Sequence, residues 1–157
     1  MTEYDKNKSI YDYAKEINND TKLLTFYSVF KILLENIDCV VCLESAVDLL
    51  GYSNGGFRNQ IYVYSEKELN LPYIKCFLVD DLKDVEYIDY KGIKVTPISK
   101  TIVDMLEKET TDVQILYETF AHYYFSNSNS YKGLSIPKKL EKKANHFKEE
   151  GILFYES

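Results

Sequence analysis

The spacing of apolar positions changes twice along this chain, and each change predicts a change of element. Over residues 22–35, Leu23, Phe26, Tyr27, Phe30, Leu33 and Leu34 recur every three or four positions. That spacing marks a helix with one buried face. Residues 9–19 also look helical, and Asp20 or Thr21 stands where the second helix would take its cap. Cys39-Val-Val-Cys-Leu43 is a short apolar run, a strand or an extended entry. Glu44 to Leu50 returns to helical spacing, with Gly51 placed as a left-handed stop and Ser53-Asn-Gly-Gly56 as a flexible turn.

The middle of the chain then turns strand-like. Ile61–Tyr64, Ile74–Val79, Val85–Tyr90 and Ile93–Val95 read as strands, the last two joined as a hairpin through Lys91-Gly92. Beyond Thr96 the helical period resumes, with helices expected near 98–108, 112–125 and 137–149. Thr111-Asp-Val-Gln114 has the spacing of a capping box. Val113, Leu116, Tyr117, Phe120, Ala121 and Tyr124 form the apolar stripe that follows it, and Gly151 closes the last helix. Helices, then strands, then helices predict an α+β fold. The strands at 60–64, 74–79, 85–90 and 93–96 are expected to form a mainly antiparallel sheet flanked by helices. Residues 1–36 form an N-terminal helical segment, packed with residues 37–157 as one domain.

Composition narrows the function classes. A chain of 157 residues with 45% hydrophobic content can bury a core and is not disordered by composition. No apolar run approaches the ~20 residues of a membrane span, and MTEYDKNKS lacks the features of a secretory signal. The expectation is a cytoplasmic protein with no membrane contact. A net charge of −6 excludes a surface wholly built for nucleic acid, although a local basic patch stays open. Fifteen tyrosines beside no tryptophan fit either a protein-binding surface or an AT-rich coding sequence.

Candidate chemistry is sparse. Cys39 and Cys42 have the spacing of half a zinc site, but Cys76 is distant and neither His122 nor His146 has ligand spacing to it. Buried free thiols are the expectation, with no cofactor. The sharpest enzyme alternative is a magnesium-dependent nuclease using Asp80 or Asp81 together with Asp89 and Lys91. There, carboxylates on adjacent strands would hold the metal and the lysine would orient the attacking water. The same Asp89-Tyr-Lys-Gly92 run also suits a hairpin turn. Lys138, Lys139, Lys142, Lys143 and Lys148 gather positive charge on one predicted helix. That helix is either a solvated face or a docking surface for an acidic protein or a nucleic-acid backbone.

Two longer stretches resemble a known family. Residues 42–65, CLESAVDLLGYSNGGFRNQIYVYS, resemble the helix and following strand of the abortive-infection antitoxins, the AbiEi family. Residues 92–106, GIKVTPISKTIVDML, resemble that family's strand, Thr-Ser-Pro-Glu-Arg-Thr turn and Ile/Leu-Val-Asp helix. Val95, Thr96, Thr101, Ile102, Val103 and Asp104 match in place. Tyr117-Glu-Thr-Phe-Ala121 and Gly133-Leu-Ser-Ile-Pro-Lys-Lys139 fit the closing helices. The proline stands one place late at Pro97, and Ser99-Lys100 replaces Glu-Arg. About 40 residues precede the matched region and offer two helices with no recognisable wing hairpin of the family's winged helix-turn-helix, so the resemblance does not carry operon autorepression over to this chain. The resemblance implies a non-enzymatic antitoxin of a bacterial toxin–antitoxin or phage-defence system, opposing a nucleotidyltransferase-like toxin without a stable complex. It is equally compatible with a phage or mobile-element inhibitor of a host defence protein on the same fold. The lysine-rich helix is the expected partner-binding surface, whereas the inhibitor would bind a defence protein through the acidic, tyrosine-rich surface. On this view the quoted turn at 91–106 is scaffold: Thr96 caps, Pro97 opens the helix, and Lys100 pairs with Asp104 on the outer surface.

Overall fold

The computed structural model describes residues 9–18, 25–53, 58–108 and 111–156. The proposed cap at Asp20 or Thr21, Leu23 of the second helical stripe and most of the 53–56 turn lie outside these residues. Six helices, α1 (Ile10–Asn18), α2 (Phe26–Leu33), α3 (Leu43–Leu50), α4 (Ile98–Glu107), α5 (Val113–Ser126) and α6 (Glu141–Glu156), surround one sheet. Its strands are β1 (Val40–Val41), β2 (Ile61–Ser65), β3 (Ile74–Leu78), β4 (Ile88–Tyr90) and β5 (Ile93–Val95). The fold is α+β in a single domain.

The sheet runs in the order β3-β2-β1-β5-β4 and is mixed. Antiparallel pairs join β1 to β2 and β4 to β5, whereas β1–β5 and β2–β3 are parallel. This corrects the expectation of a mainly antiparallel sheet. A parallel neighbour normally needs a crossover of a dozen or more residues. Residues 66–73 manage it without a helix, because β2 is only five residues long. Eight extended residues span roughly 26 Å, more than the ~17 Å such a strand covers.

Along β2 burial alternates, with Ile61, Val63 and Ser65 buried and Tyr62 and Tyr64 half-buried. Ile61 and Val63 join Val41, Ile93 and Val95 in a core closed by α1 and α2. Tyr62, Tyr64 and Phe77 instead border a second core formed by Ile102, Met105, Leu106, Leu116, Phe120 and Phe147. Helix α3 contributes to both, Ala46 and Leu49 to the first, Leu43 and Val47 to the second.

Local cap signals were displaced, by four or five residues at α2 and by one at α5. Thr25 caps α2, its hydroxyl accepting from the Ser28 N–H at 3.2 Å. The cap of α5 is Asp112, which accepts from the Gln114 N–H at 2.9 Å, rather than Thr111. Gly51 ends α3 in the left-handed conformation, as the sequence predicts. Gly151 does not end α6. It lies inside the helix, where an added Cβ would stand 3.1 Å from the Tyr117 carbonyl of α5. Close helix–helix approach, not termination, explains that glycine.

Candidate functional site

The β5–α4 junction is built from its two threonines. The Thr96 N–H donates to the Val41 carbonyl at 2.9 Å, carrying the β1–β5 pairing one step further. Pro97, with φ −61°, then occupies the cap position and Ile98 begins α4. Thr96 offers the helix no side-chain cap. Its hydroxyl lies 2.6 Å from that of Thr101, which donates to the Pro97 carbonyl at 2.8 Å. Both threonines are fully buried. They lock strand to helix from inside the core.

One turn further, Asp104 departs from expectation. It pairs with Lys100 at 3.2 Å, but its residue exposure is only 8%, so the pair is not on the outer surface. The cover comes from β2, where the Tyr64 hydroxyl donates to the other carboxylate oxygen at 2.8 Å. The Lys100 ammonium also lies 5.7 Å from the Tyr64 ring centre. Burial pushes the Asp104 carboxyl above the ordinary aspartate value, against the opposing pull of Tyr64 and Lys100. Burial and then the Asp104 charge push the Tyr64 hydroxyl far above the usual tyrosine range.

A second buried network sits on α3, and sequence reasoning missed it. Asp48 accepts from the Ser53 hydroxyl and from Arg58 Nε, each at 2.7 Å. Beside it Glu44 is buried, and burial raises its carboxyl while Arg58 and the Thr111 hydroxyl pull it back. The signal was available: Arg58 is the only arginine in the chain, and a half-buried bidentate-capable cation needs a carboxylate. At the entry to α3, Leu43 takes φ +51°, a conformation uncommon for leucine. It marks an abrupt turn out of β1.

The five lysines are divided by the structure. Lys143 donates to the Leu106 carbonyl at 2.7 Å, satisfying an acceptor at the last turn of α4. Lys139 pairs with Glu107 at 3.3 Å, and the Lys148 ammonium sits 5.5 Å from the Tyr131 ring centre. These three bind α6 and the 3-10 turn before it to their own protein. Lys138 and Lys142 are exposed, with no ion pair among the described residues. The free positive surface is therefore smaller than the sequence suggested.

The nuclease residues are not brought together. Asp80 follows β3 and Asp89 lies on β4, the two opposite edges, with three strands between them. At ~4.8 Å per strand that is roughly 19 Å, too far to share an ion. Asp81 instead caps a 3-10 turn by accepting from the Lys83 N–H, and Asp89 accepts from the Gly92 N–H at 2.8 Å. Lys91 is not on a strand face with Asp89. Its φ of +52° and that of Gly92, +91°, form the two-residue hairpin turn. Among the described residues no cluster of three His, Cys, Asp or Glu side chains is placed to hold a metal.

All three cysteines are free, Cys39 and Cys42 buried and Cys76 half-buried. Burial, first of all, raises Cys39 to about 12 and Cys42 well above the ordinary thiol value, which keeps both protonated and unreactive at neutral pH. His146 faces the Tyr117 hydroxyl at 3.0 Å. An open cleft of about 440 Å³ separates the end of α2 from β5, lined by Phe30, Lys31, Glu35, Asp38 and Lys94 among others. Its charges are mixed, and nothing converges on one point in it. Among the described residues no helix is long and apolar enough to cross a membrane. Comparison with family models, curated proteins and solved structures finds no match to this chain.

Proposed function

We propose that this protein is an antitoxin-like component of a bacterial toxin–antitoxin or phage-defence system, opposing a nucleotidyltransferase-like toxin without catalysing a reaction itself. One observation carries the reading. The two stretches that resemble abortive-infection antitoxins are remote in sequence yet interlock in space. Tyr64 of the first donates to Asp104 of the second, and the Thr96 N–H of the second donates to Val41 beside the first. Thr96 and Asp104, which match the family in place, make these contacts, and Thr101 braces Thr96 from within the second stretch.

The surface left for a partner is the exposed pair Lys138 and Lys142, suited to an acidic protein face or a nucleic-acid backbone. The experiment is growth rescue. Cells arrested by expression of a cognate nucleotidyltransferase-like toxin should recover when the chain is co-expressed. Continued arrest in the presence of folded, soluble chain would sink the proposal.

A further inference from the structure

We propose that β3 is a self-association edge, through which two copies of this chain pair antiparallel about Cys76. The strand ends the sheet order, with β2 on one side and, among the described residues, nothing paired on the other. Its backbone alternates. The Tyr73 carbonyl accepts from the Ile61 N–H, and the Val79 N–H donates to the Ser65 carbonyl, so the odd-numbered residues turn toward β2. In a parallel pair with that register, Ile74, Cys76 and Leu78 aim their backbone groups outward. The Ile74 N–H is used by the Leu71 carbonyl in the preceding turn, whereas the groups of Cys76 and Leu78 remain available.

The side chains favour a second copy of the same strand in one register. The sequence Ile74-Lys75-Cys76-Phe77-Leu78 has a rough mirror at its centre. Pairing about Cys76 sets Ile74 against the partner's Leu78 on one face of the sheet. On the other face it sets Lys75 against the partner's Phe77. The first contact covers what the single chain leaves exposed. Leu78 is 61% exposed, a large value for a leucine in a strand. Lys75 already lies over the ring of its own Phe77, 5.6 Å from its centre, and Lys108 lies 4.3 Å from the same centre, so this ring is one that attracts cations. A shift of register by two residues loses the match of Ile74 with Leu78 and the direct opposition of the two Cys76 residues. Pairing extends two five-stranded sheets into one. Pro72 and the Asp80-Asp81 pair end the contact after five residues, so the dimer is small and concentration-dependent.

The geometry makes a covalent readout available. Directly opposed residues of a hydrogen-bonded antiparallel pair have Cα atoms about 5.5 Å apart, inside the roughly 4.4–6.8 Å a disulfide requires. Treatment with diamide should therefore link two copies through Cys76. Each thiol gives up one hydrogen, and the N=N bond takes both as it is reduced to the hydrazine. An internal bridge does not compete, since Cys39 lies two strands away, roughly 10 Å or more.

The expected result is a disulfide dimer on non-reducing gels that Cys76→Ser abolishes, and a monomer–dimer equilibrium in sedimentation velocity under reducing conditions. The decisive variant is Leu78→Pro, which keeps Cys76 but removes an outward donor that β2 does not use. Losing that bond from both copies should slow linking by about tenfold or more, with an unchanged thermal melt as the folding control. Linking of Leu78→Pro at the wild-type rate, or a wild-type chain that stays monomeric at every concentration, would overturn the proposal.

Discussion

Against α1 and α2 the sheet presents Val41, Ile61, Val63, Ile93 and Val95, all buried and aliphatic. Toward α4 it presents half-buried tyrosines whose far ends meet polar groups, and the turn leading into that helix buries Thr96 and Thr101 against each other. The first side is held by non-directional burial, which tolerates exchange of one apolar residue for another of similar volume. The second is held by directional bonds in a low-dielectric interior, where each partner specifies the next. Thr96, Thr101 and Asp104 fall on the directional side, whereas Val95 falls on the aliphatic one. A sequence pattern of Thr, Thr and Asp is what a fold needs when its register is set by hydrogen bonds rather than by shape alone.

The largest effect should come from the aliphatic side. Ile61→Ala removes most of a side chain that is 2% exposed and leaves a cavity, at a cost of about 2–5 kcal/mol. On the directional side the effect should depend on chemistry more than on size. Asp104→Ala strands the Tyr64 hydroxyl and frees Lys100, costing about 1–3 kcal/mol. Asp104→Asn keeps an acceptor for Tyr64 and relieves a buried charge, so its cost should stay under about 1 kcal/mol. Urea unfolding of the three variants checks the order. If Asp104→Asn proved as damaging as Asp104→Ala, the charge itself would be the requirement and the contrast between the faces would need redrawing.

Much of this architecture is visible in periodicity, and what is hidden has a physical reason. The stripe Phe26, Phe30, Leu33 announces α2, and Leu116 and Phe120 announce α5, because a helix buries one face whatever lies opposite. The parallel β2–β3 pair is hidden because its connection lacks the helix that usually signals a crossover. Asp104 was misplaced for a similar reason. Its i,i+4 partner Lys100 is local and legible, but Tyr64, which covers it, lies 40 residues away in sequence. Long-range partners also divided the lysines, since Leu106, Glu107 and Tyr131 stand on other elements. Pattern reveals faces, but not which distant face they meet.

The two faces should also separate by pH. Burial raises the carboxyls of Asp104 and Glu44 above their ordinary values, so the folded chain holds those protons more tightly than the unfolded one. Between the unfolded and folded values the native state binds more protons, and stability falls as pH rises. The contribution is complete below the ordinary values of 3.8 and 4.5 and is lost as pH passes through the raised ones. An Asp104→Asn, Glu44→Gln double variant should therefore gain stability relative to wild type between pH 4 and 7 and then level off. Ile61→Ala should run parallel to wild type throughout. Thermal melts across that range read both, and a gap that narrows with rising pH would show the carboxyls to be stabilised as anions.

The smallest folding effect should separate the lysines that serve the protein from those left for a partner. Lys138→Glu and Lys142→Glu change exposed side chains without an internal ion pair, so each should shift stability by no more than about 0.5 kcal/mol. Lys143→Glu removes the donor to the Leu106 carbonyl and places a negative charge at the negative end of α4. It should cost about 1 kcal/mol. Function should sort the other way. If the free pair is the docking surface, the Lys138→Glu, Lys142→Glu variant loses growth rescue while melting normally, and the loss of binding is steepest at low salt, where screening is weakest. Lys143→Glu should retain rescue at a temperature well below its melt. Full rescue by the double variant would reduce the lysine-rich helix to a solvated face and move the search to the tyrosines of β2.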